Sequence, residues 1–149
     1  MVTVGVWGQA REGPNQNNLQ ALLDAARKDL RTEKQAMIDQ AMGLDAGAKV
    51  KFWGIYQNFQ KELDAIWDVR LANVKKYAET SQAMTDAIAD ELSASALNNE
   101  AQLTALKKKY HPQFKAALGA KAAARWLQAE TTLGNLTMLQ LLSQVPLLQ

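Results

Sequence analysis

His111 is the single histidine of a 149-residue chain without cysteine, and it stands directly before Pro112. A zinc site built on it would need three carboxylates, because no thiolate or second imidazole is available. The serines Ser81, Ser93, Ser95 and Ser143 have no further imidazole to act as a paired base, and none sits in a nucleophile-elbow glycine pattern. Gly43 and Gly47 lie in a turn between two helical patterns, not in a phosphate-cradling loop that follows a strand. The expectation is a protein that works without metal, cofactor or turnover. The missing thiols also exclude disulfides and leave the compartment undecided.

The charged residues offer a second kind of chemistry. From 101 to 125 the chain carries Lys107, Lys108, Lys109, Lys115, Lys121 and Arg125 and no acid, although the net charge is only +2. Such a segment could bind a polyanion, either nucleic acid or anionic lipid. Lys107, Lys108 and Lys109 are consecutive, however, and at about 100° per residue they point to three sides of a helix. A groove reader presents its cations along one face, so nucleic acid is not the expected partner, while peripheral contact with a membrane is left open. No run reaches the roughly 20 apolar residues of a spanning helix.

The elements that must position these groups read as helices. Asp45 to Thr80 is the longest uninterrupted pattern: Phe52, Tyr56, Phe59, Leu63, Ile66, Val74 and Tyr77 share one sector, with Trp53 and Trp67 on its flank. Lys49, Gln57, Lys61, Asp64, Asp68 and Lys75 take the opposite side, so one face meets protein and the other water. A first helix is expected from a cap at Asn17 or Asn18 to about Met42, with Leu19, Leu22, Leu23, Ala26, Leu30, Met37 and Ala41 as its inward stripe. Gly43 ends it, Asp45 caps the next, and so short a turn forces an antiparallel hairpin.

Thr85, with Asp86 behind it, caps a third helix whose stripe is Ile88, Leu92, Ala96, Leu103, Leu106 and Tyr110. Pro112 lacks the donor and disfavours helical geometry at His111, which predicts an interruption there and a short helical piece from 113 to 118. Ala120 to Gln144 is the last helix, with Trp126, Leu133, Leu136, Leu141 and Val145 inward. Residues 1–18 have no helical period and read as a flexible arm; the apolar stretch from Val2 to Ala10, ending in Gly8-Gln9-Ala10, could be what is left of a cleaved export signal. The fold expected is all-α: residues 19–149 as one antiparallel bundle of four main helices, the third interrupted at Pro112.

Three stretches carry a resemblance. Gly43-Leu-Asp-Ala-Gly-Ala-Lys-Val-Lys-Phe-Trp-Gly-Ile-Tyr-Gln57 resembles a Leu-Thr-Pro-Glu-Glu, spacer, Phe-Trp-x-x-Tyr pattern. Leu106-Lys-Lys-Lys-Tyr-His-Pro-Gln-Phe-Lys115 is similar to a Lys-Lys-Tyr-x-x-x-Phe segment, and Lys121-Ala-Ala-Ala-Arg-Trp-Leu-Gln-Ala-Glu130 with Gln144-Val-Pro-Leu-Leu148 to a Lys-Ala-Ala-Arg-Phe-x-Gln-x-Glu ending and its Ile-Pro-Leu tail. All three patterns occur in a poorly characterised family of exported bacterial helical proteins, itself distantly similar to the Spy/CpxP periplasmic stress chaperones with their Leu-Thr-x-x-Gln motifs. Here Leu44-Asp45 replaces one Leu-Thr, and Met84-Thr85-Asp86-Ala-Ile88 keeps the threonine without the glutamine. Both positions still hold a competent helix cap.

The resemblance implies an exported, periplasmic or secreted protein that binds exposed apolar surfaces of unfolded or specific protein partners in the manner of a stress chaperone. Phe52, Trp53, Tyr56, Phe59 and Trp67 are the residues expected to line either the core or a binding groove. The alternatives are an interaction module that docks one partner or forms a homodimer, and a polyanion binder through 101–125. Two inward-facing ion pairs follow from helix layering: Arg70 with Glu130, because a buried cation needs an acid, and Glu33 with Arg125, if the first and last helices are neighbours.

Overall fold

The computed structural model describes residues 21, 24, 32–143 and 145. The expected arm at 1–18, the inward stripe from Leu19 to Leu30 and the tail after 145 lie outside them. Four helices follow one another with no strand among the described residues, so the protein is an all-α bundle. We label them α1 (32–42), α2 (Ala46–Thr80), α3 (Asp86–Leu118) and α4 (Ala120–Leu142), with a single 3-10 turn at Ser81–Ala83 between α2 and α3. None is long and apolar enough to cross a membrane.

The helix limits follow from local chemistry. Gly43 takes a left-handed backbone, φ 55°, after α1, where any side chain would crowd the carbonyl. Asp45 then caps α2 by accepting from the Ala48 amide at 2.9 Å, and Thr85 caps α3 by accepting from Ile88 at 3.2 Å. Gly119, at φ 92° and ψ 162°, turns α3 into α4 in a region essentially reserved for glycine.

α3 is not interrupted: it runs unbroken through Pro112 for 33 residues. Proline removes one donor and crowds the carbonyl four residues earlier, that of Lys108. Pro112 and Lys108 are both exposed, so water can serve that carbonyl, while Tyr110 and Phe114 on either side are held in the core. Tertiary packing here outweighs the local preference.

α2 packs along α3, and α3 along α4. Aromatic rings from three helices meet in the middle: Phe52 of α2 lies 5.2 Å from Phe114 of α3, which lies 4.3 Å from Trp126 of α4, and Trp126 is 5.1 Å from Phe59. Burying each such ring contributes roughly 1.5–3 kcal/mol. The stripe of α1 has a different phase from the one expected. Lys34, Ile38 and Met42 face the core, whereas Met37 and Ala41 are exposed. A lysine on the inward face hid the true register.

Candidate functional site

The aromatic set does not line an open groove. Phe52, Tyr56, Phe59 and Trp67 are buried and Trp53 is half-buried, so the broad face of α2 is the core itself. Of the two possibilities left by the sequence, burial selects the structural one for these residues.

The buried charges are paired, with partners other than those expected. Arg70 donates from Nε to Asn99 Oδ1 and from Nη2 to Glu100 Oε1, both at 2.7 Å, and its guanidinium lies 5.3 Å from the Trp67 ring centre. Asn99, fully buried, uses its own amide to donate to the Ile66 carbonyl at 2.8 Å. Glu130 instead accepts from Lys34 at 3.0 Å and from the Tyr56 hydroxyl at 2.5 Å. Because α3 continues at full helical rise past Pro112, Glu130 comes level with Tyr56. Arg70 stands fourteen residues further along α2, about 21 Å along the axis at 1.5 Å per residue.

Glu33 and Arg125 do not form the expected pair either. The first and last helices do touch, but Arg125 donates to the Met42 carbonyl at 2.9 Å. Glu33 is exposed nine residues earlier, about 13 Å away along α1.

The three consecutive lysines diverge as their spacing dictates. Lys107 is half-buried and donates to Thr131, Lys109 pairs with Glu62 at 2.8 Å, and Lys108 is exposed. Burial pulls the Lys107 ammonium below the ordinary lysine range. Lys109 and the Tyr110 hydroxyl, both donating to Glu62, hold that carboxyl below its ordinary range. Tyr110 is in turn pushed up to about 12 by burial and by that carboxylate.

Groups suited to catalysis are dispersed or engaged. Among the described residues no three His, Asp or Glu side chains gather as a metal site. His111 is half-buried on α3. Ser95 exchanges hydrogen bonds with Asn73, and the hydroxyls of Ser81 and Ser143 donate to backbone carbonyls within their own helix ends.

A concave apolar surface does exist, away from the aromatic core. Val74, Tyr77, Met84, Leu92, Met138 and Leu142 line a groove of about 360 Å³ where α2, α3 and α4 converge near the α2–α3 turn. Arg70, Asn73 and Glu100 supply its polar edge. On the adjoining part of α4, Leu136, Leu139 and Leu142 are each more than half exposed. Leu136 is thus an outward residue, not an inward one. The signal was present: Leu133, Leu136, Met138, Leu139, Leu141 and Leu142 spread around the whole circumference at 100° per residue, so one bundle face cannot bury them all.

Comparison with known proteins gives no match, whether to a family model, to a curated protein or to a solved structure.

Proposed function

We propose that the protein is a non-enzymatic, exported binder of exposed apolar segments of other proteins, a holdase of the Spy/CpxP kind. The observation that carries this reading is the groove between α2, α3 and α4 together with the exposed leucines beside it. Apolar surface in water is costly, and a contiguous run of it marks a place where another molecule sits. Met84 and Met138 in the wall suit a changing set of clients, because thioether side chains repack at small cost. Arg70, Asn73 and Glu100 at the edge can take a client's backbone groups while its side chains enter the apolar part. The periplasmic or secreted location belongs to the same proposal and rests on the resemblance of the three stretches described above.

The test is suppression of client aggregation. Stoichiometric protein should slow aggregation of an unrelated chemically denatured substrate, and Leu139→Asp with Leu142→Asp should remove that effect while leaving helicity intact. Unchanged aggregation with the unaltered protein refutes the reading. If instead the chain sediments as a dimer that the same substitutions dissociate, the leucine surface belongs to a second copy, and the interaction-module reading replaces the holdase.

A further inference from the structure

Among the described residues the charges are sorted along the bundle axis. Phe52, Phe114 and Trp126 are in ring contact, so Lys51, Lys115 and Arg125, each one residue from one of these rings, lie at one level; Lys121 is a turn closer to the bundle end. All four are exposed, and among the described residues Arg125 donates to a neutral carbonyl, that of Met42. Among the described residues between the ring level and this end, 38–52 and 114–126, the acids are Asp39 and Asp45. Asp39 is engaged by Lys49 at 3.0 Å, and Asp45 caps α2. The far end of the 35-residue α2, about 50 Å away, is the reverse. There Lys75 and Lys76 are paired with Glu79 and Glu91, while Asp86 and Asp90 are exposed.

We infer that the end formed by the α1–α2 and α3–α4 turns docks on anionic lipid bilayers. The cations lie within about two helical turns of an end made of two hairpin turns, within reach of a plane laid across that end for side chains of lysine and arginine length. Val50, 76% exposed, stands at the same level on α2, so an apolar side chain is offered to the headgroup layer near the cations. A nucleic-acid binder would array its cations along a groove-length face with aromatic rings free to stack on bases, whereas at this level Phe52, Phe114 and Trp126 are in the core and Trp53 is half-buried against it. The acidic far end is repelled by the same surface, which orients the bundle end-on and keeps the apolar groove in solution. This surface is separate from the groove, so it stands or falls independently of the holdase reading.

Sedimentation of the full chain with vesicles tests the inference. At low salt it should bind equimolar phosphatidylcholine and phosphatidylglycerol and ignore phosphatidylcholine alone, and it should be released near ~0.5 M salt, where screening falls to a few ångströms. Each cation near the surface is worth roughly fivefold in partitioning, so Lys115→Gln with Lys121→Gln should weaken binding about twentyfold or more. Lys75→Gln with Lys76→Gln, at the opposite end, should leave it unchanged, and circular dichroism of both variants should match the parent. Equal binding to neutral vesicles, equal loss from the two variant pairs, no binding at low salt, or tighter binding to duplex DNA than to vesicles in the same buffer would each overturn the inference.

Discussion

Lys34 of α1 and Glu130 of α4 meet at 3.0 Å inside the bundle, both nearly inaccessible to water. The contact extends through three helices: Lys34 also donates to Gln60 Oε1 at 3.0 Å, Gln60 donates to Asp64, and Tyr56 donates to Glu130. Such a pair has little net value over apolar residues of the same size, because two charges are taken out of water, but either charge alone is strongly unfavourable. It therefore selects one register of α1 against α4. Lys34→Met should destabilise by about 3–5 kcal/mol in urea unfolding. Adding Glu130→Gln, which keeps an acceptor for Tyr56, should restore much of the loss; strictly additive costs would show that the two groups do not depend on each other.

Arg70 makes two polar contacts of the same length and very different worth. Asn99 is buried, whereas the Glu100 side chain is 67% exposed. Asn99→Leu strands the Arg70 Nε donor and removes the second hydrogen bond to the Ile66 carbonyl, which keeps its partner within α2, and should cost about 1–3 kcal/mol. Glu100→Gln leaves Arg70 its link to Asn99 and should cost less than about 1 kcal/mol. The reverse order would mean that the exposed carboxylate is the true partner.

Stability should fall at both ends of the pH scale, for different groups. Glu62 and Asp39 have folded pKa values below their ordinary ones, each through a lysine that donates to it, Lys109 and Lys49 respectively. Their contribution is present above the ordinary carboxylate range and is lost as the pH falls through the lower folded values. Tyr110, pushed up to about 12 by burial, does the opposite: its contribution is complete below the ordinary tyrosine value of 10.0 and disappears between there and about 12. Thermal melts across pH should show a shallower acid decline for Glu62→Gln and a shallower alkaline one for Tyr110→Phe. Unaltered slopes would remove these groups from the account.

Two glycines should respond to alanine with opposite signs. Gly54 is exposed within α2 and has open space where a Cβ would stand, so Gly54→Ala should stabilise by about 0.5–1 kcal/mol through helix propensity. Gly119 has equal space but a backbone that side chains avoid, and Gly119→Ala should cost about 1–3 kcal/mol. Melting temperatures that move the same way for both would contradict this assignment.

The sequence by itself determined where the chain turns between the described helices, because those signals are local. Asp45 and Thr85 cap the amides three residues ahead of them, and Gly43 and Gly119 supply backbones that other residues avoid. It also determined that α2 buries an aromatic face, since that depends only on spacing along one helix. Packing alone decided whether α3 would survive Pro112, because the neighbours Tyr110 and Phe114 are anchored by residues far away in the chain. Charge partners were decided the same way. Arg70 finds Glu100 and Glu130 finds Lys34 because of the relative heights of separate helices, and an unbroken α3 sets those heights. The outward turn of Leu136 and the gathering of Lys51, Lys115, Lys121 and Arg125 at one end have the same origin: both depend on which surfaces the other helices leave uncovered. A single helix's periodicity holds no information about that.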